Sequence, residues 1–259
     1  MTKGEIFRAL HQRQGAFIIP NPWDIGTARL LAALGFEALA TTSAGFAFSQ
    51  GRRDGAVGRE AMLAHCAAMA SATDLPLSAD LENGFGDSPE AAAETIRLAA
   101  ATGLAGGSIE DFSGSVIYEK ELAVERVRAA AEAANGKFVL TARCENYLHG
   151  RPDLADTIAR LQAYAEAGAD VVYAPGLRTR EEIRAVVGAV DRPVNVLGGG
   201  DLTLADLSAL GVKRVSVGSG LTRAALGSFL RAAKELKDHG TFAWAREAVS
   251  FHEISAMFD

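Results

Sequence analysis

Five residues, four of them where short apolar runs end, together carry most of the chemistry this chain can offer. Asp80 and Glu82 follow Leu77–Ala79, Glu110 follows Gly107–Ile109, and Arg143 follows Phe138–Ala142. Asp54 closes the nearby segment Gly51-Arg52-Arg53-Asp54-Gly55. Several carboxylates aimed into one mouth repel one another unless a cation or a proton lies between them. Oxygen donors with no thiol and no histidine pair beside them favour Mg²⁺ or Mn²⁺ over Zn²⁺. The guanidinium of Arg143 is a planar, two-pronged donor suited to a carboxylate or a phosphonate. A metal and an arginine on one rim form an arrangement for stabilising an enolate-type oxyanion. Plainer roles exist for each residue alone. A strand-end acid often caps a helix or sits solvated in a loop, which fits Asp111 and Asp87; Asp87-Ser88-Pro89 reads as a cap before a proline-started helix. Arg143 beside acids also fits a structural ion pair.

Other chemistries find less support. None of the lysines follows a strand-like run, which disfavours Schiff-base catalysis. Of the histidines, His149 alone lies on a segment following a strand and is a distant acid–base candidate; the others fall in helices or tails. The turns Gly198-Gly199-Gly200 and Gly218-Ser219-Gly220 fit either a backbone phosphate cradle or tight connections.

Elements that could position these residues recur along the chain. Strands are predicted at Ala16–Ile19, Ala38–Thr41, Leu77–Ala79, Gly107–Ile109, Phe138–Ala142, Val171–Tyr173, Val194–Leu197 and Arg214–Val217. They are apolar along their length, as parallel strands buried on both faces are. Between them lie the helical segments Ile25–Leu34, Arg59–Ala72, Pro89–Ala101, Leu122–Ala134, Asp153–Ala167, Arg180–Val187, Leu204–Ala209 and Thr222–Asp238. Gly35, Gly103, Gly168 and Gly211 read as helix C-caps. Strand–helix units in this number and length predict an α/β fold, a (β/α)₈ TIM barrel, whose active site lies at the C-terminal ends of the strands. An open doubly wound sheet fits less well, since no Gly-x-Gly-x-x-Gly turn follows the first strand. No linker interrupts the pattern, so residues 1–259 form one domain, with 242–259 a C-terminal helical extension. Its apolar residues Trp244, Val249, Ile254, Met257 and Phe258 predict packing on the barrel or on a partner subunit.

The bulk numbers narrow the partners. Of 259 residues, 49% are hydrophobic and 22% charged, enough apolar content for a large core. A net charge of −6 disfavours nucleic acid as a partner. The two cysteines, Cys66 and Cys144, form no disulfide framework and suit a reducing compartment. The N-terminus is polar and helical in character, and no apolar run approaches the roughly 20 residues of a membrane span. A cytoplasmic protein with no membrane partner is expected.

Several segments together resemble the phosphoenolpyruvate mutase/isocitrate lyase superfamily. They are Asn21-Pro22-Trp23-Asp24 with Ala28-Arg29, Gly51-Arg52-Arg53-Asp54, Ser78 through Gly86, Ser108-Ile109-Glu110-Asp111 and Thr141-Ala142-Arg143. The resemblance spans about Asn21 to Ser219. It implies a barrel whose last helix is swapped between subunits, in a homodimer or homotetramer. It implies Mg²⁺ as cofactor, with Asp80 a direct ligand and Asp54, Glu82 and Glu110 ligands through water. It implies that Thr42, Ser43, Ala44 and Arg143 bind a small carboxylate substrate. Asn195 matches a polar position on the seventh strand and is counted with the substrate-binding set. Asp54, Glu110 and Arg143 are the catalytic candidates.

The sequence also departs from that superfamily. The isocitrate and methylisocitrate lyases carry Lys-Lys-Cys-Gly-His on the loop after strand four, and the mutases a Lys-Thr-Asn type. Here the loop reads Asp111-Phe112-Ser113-Gly114-Ser115-Val116-Ile117-Tyr118-Glu119-Lys120. Glu82 stands where the family usually has Asp. The function expected is a Mg²⁺-dependent lyase that cleaves a C–C bond, or decarboxylates, in a small 2-oxo or 2-hydroxy dicarboxylate through an enolpyruvate-like intermediate. The alternatives are phosphonopyruvate-type P–C mutase or hydrolase chemistry, and a metabolite-binding barrel without catalysis.

Overall fold

The structure is a computed structural model that describes residues 1–258. In chain order it contains α1 (Lys3–Gln12), β1 (Phe17–Ile19), α2 (Ile25–Ala33), β2 (Leu39–Ala40), α3 (Ser43–Ser49), α4 (Arg59–Ser71), β3 (Leu77–Asp80), α5 (Pro89–Ala100), β4 (Gly106–Glu110), α6 (Lys120–Ala134), β5 (Val139–Arg143), α7 (Leu154–Glu166), β6 (Val171–Tyr173), α8 (Arg180–Ala189), β7 (Val194–Leu197), α9 (Leu204–Ala209), β8 (Arg214–Ser216) and α10 (Gly220–His239). A 3₁₀ turn, Ala243–Glu247, and α11 (Phe251–Ala256) follow. The strands form one parallel sheet in the order β1-β8-β7-β6-β5-β4-β3-β2. At the seam, the Ala40 amide donates to the Pro20 carbonyl at 3.0 Å. Asn21 ties the same seam: its amide donates to the Thr41 carbonyl, and its oxygen accepts from the Val217 and Gly218 amides. The result is a nearly closed (β/α)₈ barrel.

Local signals explain the helices. Asp24 and Thr27 form a capping box at the start of α2, and Ser88 caps α5 with Pro89 in its first turn. The predicted C-cap glycines all adopt positive φ, as at Gly168 (φ 108°). The helix α3 is an element the strand–helix pattern did not predict; Thr42 caps it, its hydroxyl accepting from the Gly45 amide.

The core decides which end of the barrel is open. Strands and outer helices share one apolar cluster that includes Leu77, Leu81, Ile96, Leu140, Leu161 and Val196. A second cluster joins Phe7 and Leu10 of α1 to Phe17, Val139 and Val171, residues at strand starts. The helix α1 therefore plugs the N-terminal end, and only the C-terminal ends can form a mouth. Near the chain end, Phe229, Leu230, Phe242, Val249 and Phe251 remain exposed, so the extension does not bury its apolar residues on its own barrel. Phe258 is half-buried, with Arg29 5.6 Å from its ring centroid. Among the described residues, no helix is long and apolar enough to cross a membrane.

Candidate active site

The mouth holds a cavity of about 1060 Å³. All nine residues singled out in the sequence line it: Asp54, Asp80, Glu82, Glu110, Arg143, Thr42, Ser43, Ala44 and Asn195. Asp80 and Arg143 end their strands, and the register pairs Glu110 with Arg143 across β4 and β5. Strand ends thus bring two acids, Asp80 and Glu110, and one arginine together without help from the loops.

The β3–α5 turn is unusual in its backbone. Glu82 (φ 49°) and Phe85 (φ 58°) both occupy the left-handed region although neither is glycine. The turn is held from several sides. Glu110 donates its amide to the Glu82 carbonyl, the Thr95 hydroxyl donates to the Gly84 carbonyl, and the Asn83 side chain accepts from the Phe85 amide. Arg126, itself buried, donates to the carbonyls of Asn83, Gly86 and Ser88. These bonds fix the carboxylate of Glu82 at the mouth.

Arg143 is the centre of the cluster. Its Nη1 donates to Asp80 Oδ1 at 2.8 Å, its Nη2 lies 2.9 Å from Glu110 Oε2, and its Nε donates to Glu145 Oε1 at 2.9 Å. Burial opposes its charge, and the carboxylates of Glu145, Glu110 and Asp80 together outweigh burial and hold it protonated. Both plain readings of Arg143 therefore meet in one residue: it makes a structural ion-pair network and faces the cavity. Asp80 Oδ2 accepts from the Ser43 amide at 3.1 Å, while the Ser43 hydroxyl donates to Asp54 Oδ1 at 3.0 Å. Ser43 thus links the two acids.

More carboxylates gather here than one guanidinium can balance. Burial, then Asp80 and Asp54, push the Glu82 carboxyl up to about 7. Burial is also the largest cause raising Asp54 and, further, Glu110. Glu82 Oε1 is buried without any hydrogen-bond partner. Among the described residues, no three His, Cys, Asp or Glu side chains form a ready-made metal cage; the Arg143 guanidinium fills the space between the acids. The residues nevertheless fit a hard divalent cation. All donors are carboxylate oxygens, one of them is left bare, and Mg²⁺ keeps several waters and needs few direct protein ligands.

Two sequence readings change. Asp111 is neither a cap nor solvated. It is 3% exposed, its carboxylate accepting from the Tyr164 hydroxyl, Arg160 and the Glu145 amide. Asp87, beside the Ser88 cap, accepts from the Tyr118 hydroxyl at 2.6 Å. The turn after β8 is a tight connection, since its Val217 and Gly218 amides are committed to Asn21.

Apart from His149, the distant acid–base candidate, several cavity residues were not singled out. Glu145 sits two positions after Arg143 and is almost wholly buried, a placement its spacing from Arg143 hinted at. His149 stacks on Phe112 with ring centroids 3.5 Å apart and lies 3.6 Å from Glu145. Phe112 belongs to the loop after β4, which a bridge between Phe112 and Ile117 closes into a small hairpin. At the floor, Arg214 donates to Asn195 Oδ1 at 2.9 Å and to the Thr141 hydroxyl at 3.0 Å. Burial lowers its pKa to about 10. His11, within α1, is 4% exposed and lies against Arg214. A residue at the start of β8 gives no sequence signal of belonging to a site.

Comparison with known proteins agrees with the barrel fold. The family model described as phosphoenolpyruvate phosphomutase matches residues 7–237. A crystal structure from Burkholderia cenocepacia, assigned no more closely than to the lyase/mutase class, is 61% identical, with TM-score 0.96 over 99% of this chain and 95% of its own. The 2-methylisocitrate lyase of Escherichia coli is 30% identical over 205 residues, 74% of this chain and 69% of the lyase. A phosphonopyruvate hydrolase solved with oxalate and Mg²⁺ is 26% identical, with TM-score 0.88 over 99% of this chain and 95% of the hydrolase.

Proposed function

Because the chain belongs to the phosphoenolpyruvate phosphomutase family, we propose that it is a Mg²⁺-dependent lyase that cleaves a C–C bond, or decarboxylates, in a small 2-oxo or 2-hydroxy dicarboxylate. The observation that carries this reading is the rim of Asp54, Asp80, Glu82 and Glu110, with an unpartnered carboxylate oxygen buried in it. Asp80 would hold the metal directly, and Asp54, Glu82 and Glu110 through water. When bound, Mg²⁺ supplies positive charge against the oxyanion that develops as the bond breaks. Arg143 would donate to the substrate's carboxylate from a geometry already fixed by Glu145, so little reorganisation is needed. Thr42, Ser43 and Ala44 would bound the opposite wall, and Asn195 the inner end. Phe112, on the loop after β4, and His149 would close the outer wall.

Purified protein with Mg²⁺ and a panel of 2-oxo and 2-hydroxy dicarboxylates tests the proposal. Release of a 2-oxo acid is expected, with loss of both turnover and Mg²⁺ binding in Asp80→Ala. No turnover of any panel member, together with unchanged Mg²⁺ binding in Asp80→Ala, overturns it. Conversion of phosphonopyruvate instead, followed by phosphorus NMR, moves the assignment to P–C chemistry. The exposed apolar face of Phe229, Leu230, Phe242 and Phe251 supports a homodimer or homotetramer that buries it, with the last helix exchanged between subunits. Sedimentation as a monomer at micromolar concentration refutes that assembly.

A further inference from the structure

We propose that the floor of the barrel is an anion subsite, in which Arg214 holds the second carboxylate of a short dicarboxylate whose other end lies at the Asp80–Glu82 rim. The proposal rests on the reading of that rim given above and goes on to say what the inner end of the substrate must be.

Arg214 starts β8 and is 5% exposed. Its hydrogen bonds go to Asn195 Oδ1 at 2.9 Å, the Thr141 hydroxyl at 3.0 Å and His11 Nε2 at 3.3 Å. The first two partners are neutral side chains. The third is held neutral by burial and by Arg214 itself. Among the described residues, no aspartate or glutamate forms an ion pair with Arg214, and the nearby Tyr173 phenol, pushed up to about 12 by burial, stays neutral. A buried charge without a counter-charge is strongly disfavoured, so such residues are rare unless something compensates them. Arg143 offers the contrast: three carboxylates already surround it.

The chemistry of the group says what would compensate it. A guanidinium carries five N–H donors in a planar fork, and the three bonds above leave two donors without a partner. A fork of this kind matches a carboxylate. The cavity reaches it: Arg214 lines the same space as the rim acids, with Ser78, Ser108, Tyr173, Asn195 and Ser216 between. That intermediate wall is made of hydroxyls and an amide, with no acid to repel an incoming anion. The depth is also suitable. Thr141, which Arg214 touches, lies two residues before Arg143 on the same face of β5, about 7 Å deeper at the usual strand rise. A dicarboxylate with carbons between its carboxyls can reach both ends; oxalate, whose carboxyls are joined directly, cannot.

Calorimetric titration of the full chain with saturating Mg²⁺ tests this with succinate and oxalate as probes. In Arg214→Gln, succinate affinity is expected to fall on the order of tenfold or more, with oxalate affinity unchanged. Arg214→Lys keeps the charge, loses the fork, and covers the case in which the glutamine variant does not fold; several-fold weaker succinate binding with unchanged oxalate is expected. Wild-type succinate affinity in Arg214→Lys overturns the proposal, as does an equal loss for both ligands alongside a lowered melting temperature, which assigns Arg214 a purely structural role. Acetate that strengthens oxalate binding in the wild type but not in Arg214→Lys places a separate anion on the floor and also overturns it. Failure of oxalate to bind the wild type at all counts against the metal rim, not against Arg214.

Discussion

His11→Gln should remove one specific part of the protein's acid sensitivity. The imidazole is 4% exposed, and burial, then Arg214, lower its pKa from 6.5 to about 3. Its bonding explains why. Arg214 can only donate, so Nε2 must accept its N–H, and Nδ1–H donates to the Phe7 carbonyl at 2.8 Å. Protonating Nε2 would set an N–H against the guanidinium. The folded chain therefore refuses a proton that the unfolded chain accepts below about 6.5. The stabilisation from a neutral His11 is complete above that pH and is lost as pH falls toward 3. From pH 7 to pH 5 the loss from this group is about 2 kcal/mol, at about 1.36 kcal/mol per pH unit below 6.5. For a chain of this size that corresponds to a melting temperature lower by roughly 4–8 °C. Glutamine retains a donor and an acceptor and does not titrate. Urea unfolding of both proteins at pH 7, 6 and 5, followed by circular dichroism, isolates the difference, because every other titrating group is shared. Parallel pH dependence in the two proteins would show that His11 is accessible to protons and that the barrel floor is wetter than its contacts indicate.

Two further predictions concern the network behind the site. Asp111→Asn leaves Arg160 facing a neutral amide in a place where both groups are 2–3% exposed. Breaking a buried pair costs about 3–5 kcal/mol, and the retained shape and the second bond from Arg160 to Asp156 put the loss near the lower figure; thermal unfolding lowered by less than about 2 °C contradicts it. Burial pushes the Cys66 thiol up to about 12 and Cys144 higher still, so a thiol reagent at pH 8 should label neither in the folded protein and both in urea. Labelling of the native protein at the rate of free cysteine refutes that.

The strands were legible because parallel strands in a barrel are apolar on both faces and each is fenced by a capped helix. Predicted and observed strand bounds differ by at most one residue, as at Ala38–Thr41 against Leu39–Ala40. The rim acids were legible for the same reason: a residue just after a strand can only point to the mouth. Asp111 defeated that logic. Its burial depends on Arg160 and Tyr164, which arrive from α7 far along the chain, and no local pattern announces them. The short helix α3 was missed because Ser43–Ser49 is too brief to show a helical period. Arg214 and His11 were missed because an arginine opening a strand and a histidine ending a helix are ordinary on a surface. Only the closing of the barrel over α1 makes them interior.

The placement of Arg143 and Arg214 explains why the mouth and the floor of this barrel have opposite needs. Around Arg143 stand Asp80, Glu110 and Glu145, with Glu82 and Asp54 close by, so the rim carries an excess of carboxylate. An anion approaching that rim meets repulsion unless a cation or protons offset it. Around Arg214 stand only neutral groups, so the floor carries an excess of positive charge in a region poorly screened by water. The cavity thus has a field along the barrel axis, acidic outside and basic within. A dicarboxylate alone would be drawn inward and opposed at its outer end; one accompanied by a divalent cation would be matched at both. That asymmetry favours recognition of a chelating dianion over a lone monocarboxylate, and it arises from which strand end each arginine occupies.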